Sequence, residues 1–335
     1  MNKIPVGIIG VSGYTGLELI KLLLSHPIFE IAYLGGSSEE EIHSIHPSLL
    51  GVFSQEVQES DCKSIASRCK LVFLALPHKS AMEYAQKLLE LGVKVVDLSA
   101  DYRLSLENYE TNYCPHLDPK NLAHAIYGLP EWNVQQIKQA SLVANPGCYP
   151  TATLLGILPF ISKIDGESIF VDAKSGVSGA GKNPSPTSHY SRINENLFAY
   201  SPLNHRHQIE IEEKIQHFGN HSLQVNFVPH LCPFTRGMLV SIYAKLKAPL
   251  DPIEVLTQAY DSHPFIRIRS TPPEVKYVSG THFCDIFAKV LGRDLFISSS
   301  IDNLLRGASS QALVNANLMF DLPQELGIPK IAYVP

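Results

Sequence analysis

The chain has 335 residues, of which 45% are hydrophobic and 18% are charged, and its formal net charge is -5. This length and composition predict a globular protein with two domains and a core in each. No block of lysine and arginine occurs in the sequence, so neither nucleic acid nor an anionic membrane surface is an expected partner.

The apolar segments and the cysteines indicate in which cellular compartment the protein is expected. The short apolar run near the start ends in glycines and lacks the features of a secretory signal. The longest later run, residues 151–161, is broken by Pro159, and a membrane span needs about 20 residues. The six cysteines are scattered without a C-x-x-C pair. We therefore expect a cytoplasmic protein without disulfides, a structural metal site or a membrane anchor.

The first half of the chain alternates strands and helices. Residues 5–10 read as a buried strand, residues 17–27 as a helix with apolar residues at helical spacing, and residues 30–36 as a second strand. Residues 70–98 repeat the pattern as strand, helix and strand. Continuous apolar strands between helices predict a doubly wound parallel sheet covered on both faces.

A glycine turn joins the first strand to the first helix. Gly10, Gly13 and Gly16 have the spacing at which backbone can approach a pyrophosphate, and the helix N-terminus supplies free N–H groups. In this context the turn indicates dinucleotide binding, and the alternative is a turn that serves packing alone. After the second strand come Ser37 and Ser38, which suit a 2′-phosphate, but Glu39–Glu41 follow instead of a basic residue. The residues favour NADP over NAD only slightly.

The pattern changes after Pro150. Longer alternating strands begin near residues 168, 222, 237 and 294, with loop-rich connections. They predict a second, α+β domain with an antiparallel or mixed sheet. The last segment reads as a helix whose apolar face is formed by Leu313, Ala316, Met319 and Phe320.

Cys148 is the candidate nucleophile. It follows a strand and the turn residues Pro146 and Gly147, and a helical segment begins directly after it. A helix N-terminus favours the thiolate form of cysteine, and a thiolate can attack a carbonyl to give a thioester or thiohemiacetal. The other five cysteines lack this context and are expected to be structural.

Three residues could serve Cys148 as acid, base or anion-binding groups. His205, Arg206 and His207 are consecutive, and Glu210 shares a helical face with His207, where it could fix the imidazole tautomer. A polar helix start is the alternative interpretation. A small-residue loop, residues 175–182, could form a backbone nest for an anion or a simple packing turn.

Together these motifs resemble the N-acetyl-gamma-glutamyl-phosphate reductase family over nearly the whole chain. The motifs that carry the resemblance are GVSGYTGLELIKLLLSHP, FLALPH, VVDLSADYRL, YGLPE, ANPGCYPTA, SGVSGAGK, HRHQIEIE, FVPHLCPFTRGML and IDNLLRGASSQALVNANLMF. This chain departs from the family pattern at Ile209, where proline is usual, at Arg306, where lysine is usual, at Ser309–Ser310, where a glycine-containing pair is usual, and after Ser38, where arginine is frequent.

The resemblance implies an enzyme and its fold. It implies an NADPH-dependent oxidoreductase of arginine biosynthesis that reduces N-acetyl-L-glutamyl 5-phosphate to the 5-semialdehyde, releases phosphate and uses a Cys148 thioester. It implies a Rossmann-type domain over residues 1–147, a catalytic and oligomerisation α+β domain over residues 148–303, and a C-terminal helix at about 304–335 that packs on the first domain. The expected assembly is a homodimer or homotetramer with a small-molecule substrate.

The resemblance also implies roles for individual residues. Cys148 is matched to the nucleophile, and His205 and His207 to acid/base and substrate-binding positions, with His207 favoured for the proton because of Glu210. The cofactor contacts are matched to Gly10, Ser12, Gly13, Tyr14, Thr15, Gly16, Ser37, Ser38, Pro77, Ser178, Gly179 and Asn303. The substrate contacts are matched to Arg103, Asn145, Ser175, Gly176, Arg206 and Glu210.

Two other functions compete with this one. A sister dehydrogenase could apply the same chemistry to aspartyl phosphate or to an aminoadipyl group on a carrier protein, although no extended basic surface for an acidic carrier is evident. A dinucleotide-binding sensor without catalysis is the alternative from another class, and the presence of Cys148, His205 and His207 together disfavours it.

Overall fold

The computed structural model describes residues 3–37 and 39–334. The described residues form two compact units. The first unit comprises residues 3–146 and Ala308–Ile328, and the second unit comprises Gly147–Gly307 and residues 329–334. No helix in the described part of the chain is both long and apolar enough to cross a bilayer.

Strands and helices are numbered in chain order. The strands are β1 (Ile4–Ile9), β2 (Phe29–Gly36), β3 (Glu40–Glu41), β4 (Glu56–Glu59), β5 (Leu71–Leu74), β6 (Lys94–Asp97), β7 (Ile126–Tyr127), β8 (Leu142–Ala144), β9 (Ser168–Gly176), β10 (Phe198–Ala199), β11 (Gln224–Cys232), β12 (Met238–Lys245), β13 (Ile266–Ile268), β14 (Cys284–Leu291) and β15 (Asp294–Ile301). The helices are α1 (Tyr14–Leu24), α2 (Ile42–Ile45), α3 (Cys62–Arg68), α4 (Ala81–Glu90), α5 (Leu106–Asn112), α6 (Pro119–Leu122), α7 (Pro130–Gln139), α8 (Cys148–Ile157), α9 (Tyr190–Ile193), α10 (Arg206–Gly219), α11 (Pro252–Tyr260) and α12 (Ser310–Met319).

The first unit is built on one sheet with the strand order β3-β4-β2-β1-β5-β6-β8-β7. The short β3 pairs antiparallel with β4, and the other neighbouring pairs are parallel. Every residue of β5 is buried, as expected for a strand whose two faces are both covered. The predicted doubly wound parallel sheet is confirmed, including the strand, helix and strand found within residues 70–98.

The C-terminal helix is shorter than expected. A π-helical turn at Leu305–Ser309 leads into α12, which ends at Met319 rather than continuing toward residue 335. The predicted apolar residues Leu313, Ala316 and Met319 are buried, and so is every other residue of α12, whereas Phe320 is the C-cap. The polar side chains of α12 find partners instead of water; the amide of Asn315, for example, donates to the carbonyl of Gly128. Burial on all sides follows from packing against α1, α7 and β6.

The second unit is built on a mixed sheet with the order β10-β11-β9-β12-β15-β14-β13. The pairs β9–β11 and β13–β14 are parallel, and the others are antiparallel. Alternate residues of β9, β11 and β12 point into the core, where α8 and α10 pack. The expected α+β domain with a mixed sheet is confirmed.

The glycine turn after β1 is shaped by close backbone packing. Gly10 has a φ of +92°, and a Cβ there would lie 2.3 Å from the carbonyl oxygen of Ala75. A Cβ on Gly16 would lie 2.5 Å from the carbonyl oxygen of Gly10. Both positions therefore need glycine for packing alone, whatever the turn binds.

We expect Gly10→Ala to destabilise the first unit well beyond the cost of a positive φ. Gly51 has a φ of +75°, and a Cβ there would have no atom within 4 Å, so Gly51→Ala shares the backbone strain without the clash. The difference between the two variants should be about 1–3 kcal/mol in the free energy of unfolding, measured by urea denaturation. Equal losses of stability in both variants would show that the structure adjusts around the added Cβ near Ala75 with little loss of free energy.

Candidate active site

Cys148 is the first residue of α8, and Gly147 is its N-cap with extended backbone angles. The predicted strand, corner and helix are all present. Cys148 is partly exposed, whereas the next two residues, Tyr149 and Pro150, are buried. The thiol therefore lies at the positive end of a ten-residue helix, where a thiolate is stabilised by the helix dipole.

Hydrogen bonds hold the Gly147 residue from both sides. Its N–H donates to Oε1 of Glu210 at 2.9 Å, and its carbonyl oxygen accepts from the backbone N–H and the hydroxyl of Thr151, each at 2.9 Å. Glu210 is buried on α10, with 1% of its surface exposed. The corner that presents Cys148 is therefore fixed by side chains from α8 and α10.

A second segment passes Cys148 so closely that it requires glycine. A Cβ on Gly307 would lie 2.6 Å from the Cβ of Cys148, so any other residue would displace Cys148 or the chain. The segment is shaped by the buried carboxylate of Asp302, which accepts from the N–H groups of Leu304 and Leu305. Sequence reasoning missed Asp302, although the Asp-Asn pair before the predicted helix was a signal.

The two histidines lie at the start of α10. His205 is the N-cap, and its Nδ1 accepts from the backbone N–H of His207 at 3.1 Å. The two imidazole rings are 4.9 Å apart between centroids. The ring of Tyr149 contacts both of them at 5.8 Å. The structure thus brings both histidines against the residue that follows Cys148, and sequence reasoning did not single out Tyr149.

The environment of His205 keeps its imidazole neutral. The rings of Tyr149, Tyr200 and Phe227 pack against it, and this burial, with a smaller effect of the Arg206 charge, lowers the pKa of His205 to about 4. Because Nδ1 accepts a backbone hydrogen bond, the proton of the neutral ring resides on Nε2. His205 is therefore a hydrogen-bond donor at neutral pH. Arg206 itself is exposed.

The small-residue loop after β9 is a tightly packed structure. A Cβ on Gly176 would lie 2.8 Å from the N atom of Arg236, and one on Gly179 would lie 2.8 Å from Oγ of Ser175. The amide of Asn303 donates to the Ser178 hydroxyl at 3.0 Å. These predicted contact residues therefore lie together in the second unit.

Arg236 belongs to the same part of the second unit. Its Nε donates to the buried carboxylate of Asp302 at 2.5 Å, and the side-chain carbonyl of Asn303 accepts from the N–H of Gly237. Sequence reasoning quoted the motif that contains Arg236 but assigned this residue no role. Its position beside Asp302 adds a guanidinium to the surroundings of the loop.

Arg103 and Asn145, both predicted to contact substrate, are buried and bonded within the first unit. Nε of Arg103 donates to the carbonyl of Asn145 at 2.8 Å, and Nη2 donates to the carbonyl of Leu98. The side chain of Asn145 donates to Ala308 and accepts from Asn315. These bonds fix the chain at the end of β8, so each residue has a structural task in addition to any contact with a ligand.

The predicted cofactor residues of the first unit lie after neighbouring strands. The glycine turn follows β1, Ser37 follows β2, and Pro77 follows β5, and these three strands are adjacent and parallel. Ser38 lies outside the described residues. Gly13 is the N-cap of α1, and a Cβ there would have its nearest neighbour 3.9 Å away. Unlike Gly10 and Gly16, Gly13 borders open space, and the exposed Ser12 and Tyr14 flank it.

This arrangement fits a dinucleotide. The N-terminus of α1 offers backbone N–H groups and the positive end of the helix dipole at the edge of the sheet where ligands of doubly wound folds bind. A bare glycine at the N-cap lets a pyrophosphate approach those groups. In the described part of the chain, no group of three or more histidine, cysteine, aspartate or glutamate side chains could hold a metal ion.

Family models match both units. Residues 5–140 match the model described as semialdehyde dehydrogenase, NAD binding domain. Residues 148–303 match the model described as semialdehyde dehydrogenase, dimerisation domain. Among solved structures, aspartate semialdehyde dehydrogenase II from Vibrio cholerae aligns with a TM-score of 0.74 at 17% identity, covering 96% of this chain and 99% of that chain, which supports the fold.

Curated relatives match the chain from end to end. The N-acetyl-gamma-glutamyl-phosphate reductase of Wolinella succinogenes is 62% identical over 100% of both chains. The protein of the same name from Halothermothrix orenii is 44% identical, covering 99% of this chain and 100% of its own. Identity at this level over the full length leaves one assignment: the chain belongs to the N-acetyl-gamma-glutamyl-phosphate reductase family of semialdehyde dehydrogenases.

Proposed function

We propose that this protein reduces N-acetyl-L-glutamyl 5-phosphate to N-acetyl-L-glutamate 5-semialdehyde with NADPH and releases phosphate, as a step of arginine biosynthesis. The observation that carries the proposal is the placement of Cys148 at the N-terminus of α8, with Tyr149 packed against two histidines, in a chain of this family. A cytoplasmic location fits its six free cysteines.

The first step is acyl transfer to Cys148. The thiolate attacks the carbonyl carbon of the acyl phosphate, a C–S bond forms, and the C–O bond to phosphate breaks as phosphate leaves with the electron pair. A thioester remains on Cys148. The hydrogen bond from the Gly147 N–H to Glu210 holds the backbone that carries Cys148 during this attack.

The second step is reduction of the thioester. NADPH supplies the hydride when it is bound at the glycine turn, where Gly13, Ser12 and Thr15 would hold its pyrophosphate. The former carbonyl oxygen then takes a proton. As the C–S bond of the resulting thiohemiacetal breaks, its electron pair goes to the sulfur of Cys148 and the hydroxyl group gives up its proton, which releases the aldehyde and regenerates Cys148.

The two histidines divide the proton chemistry. Nδ1 of His205 is committed to capping α10, and burial keeps this imidazole neutral, so His205 contributes an Nε2–H donor toward developing negative charge. We therefore assign proton transfer to His207. This assignment agrees with the sequence expectation but rests on a different ground, the capping bond of His205.

The outer face of the second sheet is the surface we propose for a second copy of the chain. Phe170, Tyr243 and Phe296 lie in register across β9, β12 and β15, and Phe170 and Tyr243 are 60% and 49% exposed. Exposed aromatic rows of this kind mark interaction sites. The family model that covers this sheet is described as a dimerisation domain, so a homodimer through this face is the proposed unit, and a homotetramer would add a further interface.

The reverse reaction tests the substrate. With phosphate and NADP+, we expect oxidation of N-acetylglutamate semialdehyde, measured as NADPH absorbance, and a rate at least about 100-fold lower with aspartate semialdehyde, because a site built for one side chain discriminates by several kcal/mol. Cys148→Ser should abolish turnover and leave the affinity for NADP+ nearly intact. Activity on aspartate semialdehyde alone would refute the proposed substrate, and cofactor binding without turnover on either would favour a sensor.

The capping histidine should make the fold acid-sensitive. His205 binds a proton near pH 6.5 when unfolded but resists protonation down to about pH 4 when folded, so its contribution to stability is complete above pH 6.5 and is lost as the pH falls toward 4. Asparagine also caps helices but does not titrate. The stability difference between wild type and His205→Asn should therefore fall by about 1 kcal/mol per pH unit between pH 6.5 and 5, measured by urea unfolding.

The matched variant His207→Asn separates the two roles. It should lower kcat by about 100-fold or more, because it removes the group that moves the proton, and His205→Asn should lower kcat less. A stability difference for His205→Asn that stays constant with pH, or a larger kcat loss than for His207→Asn, would contradict the division.

The oligomer should depend on the aromatic row. Phe170→Glu combined with Tyr243→Glu should reduce the molar mass measured by light scattering at micromolar concentration, because a buried charge without a partner costs several kcal/mol at an interface. Val52→Glu is the control, since Val52 is 71% exposed in the first unit. If the wild type is a tetramer and the molar mass falls by half, the remaining dimer interface lies on another face. An unchanged molar mass would exclude the outer face of the second sheet as an interface.

A further inference from the structure

A buried carboxylate on α10 contacts the corner that presents the nucleophile. Glu210 is 1% exposed, and its Oε1 accepts the Gly147 N–H across 63 residues of sequence. Gly147 is the N-cap of α8 but has no side chain, so it makes no side-chain cap of its own. The amide that would otherwise be left without a partner inside the protein is thus satisfied by Glu210.

We propose that Glu210 is a positioning residue that sets the location of Cys148 through the Gly147 amide. The proposal rests on the proposed function, in which Cys148 is the nucleophile. The carbonyl side of Gly147 is held by Thr151 from within α8, so it moves with the helix. The bond from Glu210, in contrast, ties this corner to a different helix, and it fixes the sulfur relative to the histidines on α10.

This role depends on the length of the Glu210 side chain rather than on its charge. A carboxylate near the helix N-terminus adds negative charge beside a sulfur that must ionise, which opposes thiolate formation. The accepting oxygen must nevertheless extend from α10 to the corner at hydrogen-bond distance. An amide oxygen of the same reach would serve equally well, and a shorter carboxylate would not.

The other roles considered for Glu210 require its charge. A contact that binds substrate, or a hydrogen bond that orients the His207 imidazole, would depend on the carboxylate and be weakened by an amide. Two variants therefore separate the roles. Glu210→Gln keeps the reach and removes the charge, whereas Glu210→Asp keeps the charge and shortens the reach by one methylene.

For a positioning residue, Glu210→Gln should retain kcat within about fivefold, and Glu210→Asp should lose about 10- to 100-fold, because small displacements of a reacting group have effects of this size. KM should change less than about threefold in both, on the scale of minor binding effects. The rate of Cys148 alkylation by iodoacetamide, followed by peptide mass spectrometry, should show a midpoint at lower pH in Glu210→Gln and no such shift in Glu210→Asp.

Glu212 provides a matched control on the same helix. Its Oε1 accepts the N–H of Val225 at 2.8 Å, so Glu212→Gln and Glu212→Asp make the same chemical changes at an equivalent bond away from Cys148. Both variants should leave kcat and the alkylation midpoint unchanged. Their melting temperatures show how much a hydrogen bond of this kind contributes to the stability of the fold.

Three results would overturn the proposal: an aspartate variant more active than the glutamine variant, unchanged kcat in both, or an unchanged alkylation midpoint in Glu210→Gln. Alkylation requires no substrate. If the protein is inactive on N-acetylglutamate semialdehyde but the alkylation midpoint shifts in Glu210→Gln, the proposed function is rejected. The placement of the Glu210 carboxylate near Cys148 is then still supported.

Discussion

The candidate site depends on the hydrogen bonds that fix Gly147, the residue before Cys148. The N–H of Gly147 is held by Glu210 and its carbonyl by Thr151, and the chain at Gly307 passes so close to Cys148 that a side chain at position 307 would clash with it. A nucleophile gains from such fixation because the entropy of alignment is lost during folding rather than at each reaction. Each restraint uses a residue whose chemistry looks unremarkable alone: a glycine, a threonine and a glutamate.

Short-range patterns in the sequence predicted much of this architecture. The turn after β1, the strand and helix periodicity of residues 70–98 and the corner before α8 are local features, in which neighbouring residues determine backbone geometry. Cys148 could be identified for the same reason, since Pro146 and Gly147 end a strand and a helix follows. The family resemblance then supplied a substrate that no local feature encodes.

Interactions between distant segments could not be predicted in this way. The bond from Glu210 to Gly147 and the close passage of Gly307 depend on how helices pack, and no spacing in the sequence encodes them. The helix α12 shows the same limit, because tertiary packing also buries its asparagines, which bond to backbone groups, and the apolar residues alone did not indicate this. Gly10 and Gly16 also show that a binding motif can be required by packing while a single residue, Gly13, stays open to a ligand.

The difference between the two histidines follows from their position on α10. An N-cap side chain turns back to accept an amide of the first turn, whereas the residue two positions later has helical backbone angles and cannot make that bond. His205 therefore uses Nδ1 in the fold, and the surrounding rings of Tyr149, Tyr200 and Phe227 exclude the water that would stabilise its charge. Two identical side chains thus acquire different surroundings at the start of one helix, which is the ground on which we propose His207 for the proton transfer.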